Sequence, residues 1–313
     1  MSGSSPIAAL AGGVGAARFL RGLVQVVDPA ALTVVVNTGD DDVFHGLPVS
    51  PDLDTVTYTL AGAENPGQGW GLDGETFGAM DALDRYGIDT WFRLGDRDLA
   101  THLFRARRFR EGATLSEATA EIAAAWELDL TLLPMTDARV ATRITLEDGR
   151  ELAMQEWFVR ERAEPAVAAV DFAGAAGALA APGVVRALER ADRIVICPSN
   201  PIISIGPIRA ITEIETALRA RRDDVVGVSP IIAGAAVKGP ADRLLRSLGH
   251  DVSCVGVARV YAPVCGTLVI DERDAHHRAE IESLGIRVAV TETLMTDARV
   301  AASLARHTLD AVA

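Results

Sequence analysis

Residues 6–23 read PIAALAGGVGAARFLRGL, and the order of residue types in that stretch decides the fold class. Ile7–Ala11 is an uninterrupted apolar run of strand length. Gly12, Gly13 and Gly15 follow, and Ala16–Leu23 then carries apolar residues at helical spacing around Arg18 and Arg21. Strand, glycine turn and helix in that order expose backbone N–H groups at a helix N-terminus, where a phosphate can bind. The string lacks the GK[ST] ending of a P-loop, and the third glycine of a GxGxxG fingerprint would fall at Arg18. Two readings stay open from these residues alone: a phosphate cradle, or a turn that only packs a strand onto a helix.

The same grammar recurs downstream. ALTVVVNTGDDD (31–42) is a second buried strand, Leu32–Asn37, ending in an acidic loop. Residues 50–63 read as a loop and a helix with Ser50 or Asp52 as cap, and Glu75–Tyr86 and residues 114–127 as further helices. TRITLEDGRELAMQEWFVR (142–160) alternates on both sides of an Asp-Gly turn, a hairpin signal. Residues 97–165 are expected to form a helical and β-hairpin insertion. Arg193–Cys197, DVVGVSPIIAG, HDVSCVGVARVY, GTLVIDERD and IRVAVTETLMTD are expected to supply more short strands between helices. The expected fold is α/β: a Rossmann-like, doubly wound, mostly parallel sheet within one domain over 6–313. Such sheets collect ligands at the carboxyl ends of their strands. MTDARVA occurs at 135–141 and 295–301 with unlike flanks, so it reads as a reused helix start capped by Thr or Asp, not as a duplication.

Composition limits the partners. Hydrophobic residues make up 49% of the 313 and aromatic residues only 5%, so the core is aliphatic, as suits helices on a parallel sheet. A net charge of −13 argues against nucleic acid and anionic membranes as partners. Cys197, Cys254 and Cys265 lie far apart with no CxxC spacing, so they read as neither a zinc site nor a disulfide framework, which fits a reducing compartment. Met1–Ser5 reads as a short flexible start, and no apolar run approaches the ~20 residues that span a membrane. A soluble, cytoplasmic protein is expected.

Several loops could carry chemistry. Asp40, Asp41 and Asp42 precede Asp52 and Asp54 by little more than one loop, and carboxylates from adjacent strand ends can share one Mg²⁺. An acidic turn and a helix cap would use the same residues. In WFRLGDRDLATH (91–102), Arg93 could clamp a phosphate or belong to a solvated helix start. Arg105, Arg107, Arg108 and Arg110 read as a solvated helical face. PSNPIISIGPI (198–208) is a proline-stiffened loop bearing Ser199, Asn200 and Ser204, and SPIIAGAAVKGPAD (229–242) resembles it and holds Lys238, the single lysine of the chain.

In order, GGVGAARFL, VVNTGDD, SPDLDTVTYTLAG, ETFGAM, LGDRDLATH, LLPMTD, QEWFVR, PSNPIISIGPI, SPIIAG, KGPAD and LMTD resemble the 2-phospho-L-lactate transferase family, the CofD/FbiA-type enzymes of coenzyme F420 biosynthesis. The resemblance covers roughly residues 7–300. It implies a homodimeric, Mg²⁺-dependent enzyme that moves a phosphorylated three-carbon acid from a guanosine diphosphate ester to the ribityl hydroxyl of the deazaflavin Fo, releasing GMP. By the same resemblance Asp54, Arg93, Asp52 and Thr55 contact Fo, and Asp40, Asp54 and Asp41 hold the metal. Gly12, Gly13, Val14, Gly15, Ser199, Asn200, Ser229, Pro230, Gly234 and Lys238 face the nucleotide. Asp54 is the expected catalytic residue, as metal ligand or base. The acid itself (phospholactyl, phosphoenolpyruvyl or phosphoglyceryl) stays open. A nucleotide-sugar-binding regulator of the same superfamily is the alternative. An NAD-dependent oxidoreductase ranks third, because the third glycine is absent.

Overall fold

A computed structural model describes residues 5–312. The start expected at Met1–Ser5 therefore lies, apart from Ser5, outside the described residues. Seven strands form the central sheet: β1 (Ile7–Ala11), β2 (Leu32–Val36), β3 (Thr131–Pro134), β4 (Arg193–Ile196), β5 (Val225–Val228), β6 (Thr267–Asp271) and β7 (Arg287–Thr291). Their spatial order is β7-β6-β5-β4-β1-β2-β3, and every neighbouring pair is parallel. This is the doubly wound arrangement expected, with the order reversing between β1 and β4.

Burial on both faces explains why β1 has no polar alternation. Ala8 and Leu10 join one core cluster with Val35, Ile194 and Ile196, while Ile7, Ala9 and Ala11 join the other with Val34, Val36 and Val195. The helices used below are α1 (Gly13–Leu23), α2 (Pro51–Leu60), α3 (Asp98–Arg110), α4 (Leu115–Ala125), α5 (Cys254–Tyr261) and α6 (Ala298–Asp310). Among the described residues no helix is long and apolar enough to cross a membrane.

Three expectations are corrected. The proposed insertion at 97–165 is not one unit: Thr131–Pro134 is an edge strand of the main sheet, paired with β2. Its hairpin does form, as Ala141–Leu146 against Glu151–Ala153, but Val167–Ala173 completes a separate three-stranded antiparallel sheet. HDVSCVGVARVY gives no strand. Ser253 accepts the Gly256 N–H and caps α5, whose apolar residues recur with the helical period. Of the two MTDARVA copies only the second starts a helix, with Asp297 accepting from Val300 N–H. In the first, Asp137 instead accepts from Ser116 N–H and Oγ at the start of α4, and the chain runs on extended.

Candidate active site

The glycine turn lies at the switch point between β1 and β4. A Cβ on Gly12 would lie 2.8 Å from Ser204 Cβ and 2.9 Å from Asp52 Oδ2, and one on Gly15 would lie 2.3 Å from the Pro198 carbonyl oxygen. Gly13 has φ +71°, which favours glycine. These residues thus wedge α1 between α2 and the loop after β4. Gly15→Ala is expected to lower stability by about 1–3 kcal/mol, because the clash is with backbone that cannot rotate away; a thermal melt unchanged from the parent would contradict it. Gly13 N–H donates to Asp52 Oδ1 at 2.9 Å, and Asn37 Nδ2 donates to Asp52 Oδ2 at 2.9 Å. Asp52 therefore ties the turn, the end of β2 and α2 together.

Beside that tie lies a buried acidic cluster. Asp40 Oδ2 accepts from Asn37 Nδ2 at 3.3 Å and Asp41 Oδ2 accepts from Ser50 Oγ at 2.6 Å, while Oδ1 of each is buried with no partner. Ser50 stands at the cap position of α2, but its hydroxyl serves Asp41 and not the helix. Burial raises the Asp40 carboxyl well above its ordinary range, and the Asp52 charge adds to this. Burial does the same to Asp41, more than Ser50 and Arg105 offset. Asp52 is raised from 3.8 to about 6, again by burial. Two open carboxylate oxygens amid uncompensated negative charge are a donor set for a hard divalent cation, so these residues fit Mg²⁺.

Asp54 is differently placed. Arg105 reaches back from α3 and donates through both terminal nitrogens, Nη2 to Asp54 Oδ1 and Nη1 to Asp54 Oδ2. His102 Nδ1 lies 3.7 Å from Asp54 Oδ2, and its Nε2 lies 3.2 Å from Asp98 Oδ2. Tyr58 donates to Asp98 Oδ1. Burial alone would raise the Asp98 carboxyl, but His102, Tyr58 and Arg105 outweigh it and hold it below its ordinary range. Arg105, expected on a solvated face, is only 1% exposed. The available signal was spacing: Asp98, His102 and Arg105 stand at i, i+4 and i+7, one face of a helix. Asp54 thus has both oxygens committed to a cation of the protein, unlike its expected place as open ligand or base.

The other expected residues divide. Thr55 is buried in the first turns of α2 beside Asp52 and Asp54. Arg93 pairs with Asp81 at 2.5 Å and covers the Phe77 ring, away from the acidic cluster's bonds. ETFGAM and LGDRD lock together: Glu75 accepts from the N–H groups of Arg97 and Asp98 at the start of α3, and Asp96 accepts from those of Gly78 and Ala79. Ser199 Oγ and Asn200 Nδ2 are buried without partners after β4, whereas Asn200 Oδ1 accepts from Ile202 N–H. Ser229 is closed on itself, exchanging bonds with Ile231, and its loop runs through Pro230 to Gly234 at φ +76°.

Lys238 stands over α1. A Cβ on Gly69 would lie 3.0 Å from Val14 Cγ1, 3.1 Å from Lys238 Nζ and 3.4 Å from Arg18 Nη2, and Lys238 donates to the Gln68 carbonyl. Burial, and then the Arg18 charge, lower the Lys238 ammonium from its ordinary range. Neither cation has a carboxylate partner among the described residues. A cavity of about 380 Å³ lined by Thr38, Asp41, Ser50 and Arg139 adjoins one of about 450 Å³ lined by Phe44, Trp91, Phe92, Arg143 and Gln155, with Asp42, Val43 and Arg139 common to both. Arg93 is not among the residues lining either. Asp42, at this border, pairs with Arg139 at 3.1 Å, and the His45 Nε2 contact with Phe92 O at 2.8 Å ties the tip of the 42–49 hairpin to the aromatic wall.

Comparison with known proteins gives the fold and the family. Two crystal structures of one Bacillus halodurans protein, titled in one case as a member of the UPF0052 family, match with TM-scores of 0.65 and 0.60 at 15% identity, over 98% and 96% of this chain and 99% of that one. They share the fold. Proteins named phosphoenolpyruvate transferase are similar along the whole length. Those from Kitasatospora aureofaciens and Streptomyces griseus are 46% and 44% identical, over 97% of this chain and 96% and 97% of theirs. The one from Mycolicibacterium smegmatis is 40% identical over 97% of this chain and 98% of its own. The family model described as 2-phospho-L-lactate transferase CofD matches residues 7–303, so the chain belongs to the CofD family and is a transferase.

Proposed function

We propose that the chain transfers a phosphoenolpyruvyl group from its guanosine diphosphate ester to the ribityl hydroxyl of Fo, releasing GMP and forming dehydro coenzyme F420-0. The observation that carries this reading is the pair of buried, partnerless oxygens on Asp40 and Asp41 beside the glycine turn, at the carboxyl ends of the strands. The names of the similar proteins favour phosphoenolpyruvyl among the three acids.

Asp40 and Asp41 would hold Mg²⁺, which when bound neutralises charge on phosphate oxygens. Arg18, Lys238 and the N-terminus of α1 supply positive potential for the diphosphate of the donor. The aromatic walls at Phe44, Trp91 and Phe92 suit a flat deazaflavin next to the acidic cavity. The Fo hydroxyl oxygen would then bond to the phosphorus that bears the acid as the bond from that phosphorus to the oxygen of GMP breaks in line. The hydroxyl proton passes to the released GMP phosphate or to water, and positioning provides much of the acceleration. Asp54 holds Arg105 beneath the acidic cluster in place of binding substrate.

The test is turnover with Fo, Mg²⁺ and each of the three guanylylated acids, read by mass spectrometry. Product with the phosphoenolpyruvyl donor alone or preferentially is expected, and Lys238→Ala should raise KM for that donor by about tenfold or more. Guanine-nucleotide binding without product from any donor would replace this reading with the regulator.

A further inference from the structure

Cys254, at the start of α5, meets Asp274 and His277 of the short helical turn Glu272–His277 that follows β6. One ligand atom from each lies within 4.8 Å of the other two. None of the three belongs to the acidic cluster at Asp40 and Asp41. We propose that Cys254, Asp274 and His277 form a second metal site, one that takes a zinc-class divalent ion.

Two observations carry this. First, the donor set is a sulfur, a carboxylate oxygen and an imidazole nitrogen from two separate elements, converging at a distance that an ion bound at roughly 2.0–2.3 Å can close with small side-chain shifts. Thiolate and imidazole together select a borderline ion such as Zn²⁺ or Co²⁺ over Mg²⁺. Second, Asp274 is a buried carboxylate that makes no ion pair among the described residues. Its two oxygens share only the Ala233 N–H, at 3.2 and 3.0 Å. A buried carboxylate without a cation is costly, and the only other groups in the cluster are a free, buried thiol and an imidazole.

The site has a structural consequence. Ala233 sits at φ +49° in the loop that follows β5, a backbone conformation unfavourable for an alanine, and Asp274 holds it there through its N–H. An ion on Cys254, Asp274 and His277 would pin that carboxylate and so tie α5, the turn after β6 and the Ala233 loop into one unit.

The full-length protein, stripped with a chelator and dialysed, is titrated with Zn²⁺ against a chromogenic competitor and separately with Co²⁺. One tightly held equivalent is expected, with a near-ultraviolet thiolate-to-Co²⁺ charge-transfer band. Cys254→Ser should abolish the band and weaken Zn²⁺ binding at least tenfold. Asp40→Asn should change neither readout. Absence of the thiolate band from the wild-type protein overturns the proposal whatever the variants do, as does Zn²⁺ affinity retained in both Cys254→Ser and His277→Ala.

Discussion

Asp40→Asn is expected to cut turnover by at least about 100-fold, and at the same time to raise the melting temperature of the metal-free protein at pH 7 by a few degrees. The two effects have one cause. Asp40 is buried next to Asp52 and Asp41, and no arginine or lysine is bonded to it, so its charge opposes folding until a cation arrives. Asparagine removes that charge, keeps the size, and can still accept from Asn37 through its amide oxygen. The pH dependence follows. Asp40, Asp41 and Asp52 each hold a proton more tightly in the folded chain than in the unfolded one. The native state therefore carries more protons above the ordinary carboxylate range, and stability falls as pH rises there. For Asp52 the window runs from 3.8 to about 6, and the full loss above it is on the order of 3 kcal/mol. Mg²⁺ should restore stability at pH 7 and do little at pH 4.5, because it competes with those protons. Melts from pH 4 to pH 8 with and without Mg²⁺ check this. A variant that turns over normally, or one that is less stable than the parent at pH 7 without metal, removes Asp40 from the proposed role.

Arg105→Ala should be the most damaging single substitution at the site, costing about 3–5 kcal/mol. The guanidinium is buried, it is doubly bonded to Asp54, and its charge also lowers Asp41 and Asp98. Its removal leaves Asp54 as a buried charge without a partner, next to carboxylates already strained by mutual repulsion. Asp54→Asn in the Arg105→Ala background should recover a substantial part of the loss, since the orphaned charge then disappears. Arg105→Lys should rescue poorly, because an ammonium cannot form the two-pronged contact with both oxygens. Denaturant titrations of the two single variants and the double variant give the coupling. Additive losses would mean that Asp54 and Arg105 do not act as a pair, and the expectation of Asp54 as an open ligand would return.

Much of this was legible in residue order. The apolar run Ile7–Ala11, the glycines after it and the helical spacing of Ala16–Leu23 predict the strand, turn and helix at the centre of the fold. Strands read as uninterrupted apolar segments proved buried on both faces, and the polar loops after β1, β2 and β4 meet at one edge. HDVSCVGVARVY forms a helix although its β-branched residues suit a strand, and the cap at Ser253 is a single hydrogen bond that residue type only weakly signals. In PDLDT, Asp52 and Asp54 are two residues apart on a helix, about 200° around its axis, so one ion cannot easily use both. One faces the glycine turn and the other faces α3.

The sequence by itself determined the strand-and-helix order, the glycine turn and the presence of carboxylates at strand ends, because those depend on residue type and short-range spacing. Only the tertiary structure decided which carboxylate is neutralised. Arg105 lies 51 positions beyond Asp54, and its charge went to Asp54 because α3 packs over α2 there. Asp40 and Asp41, four and five residues past the end of β2, were left with open oxygens. In a medium of low dielectric the nearest opposite charge sets a buried carboxylate's chemistry, and nearness of that kind is a property of packing, not of local sequence.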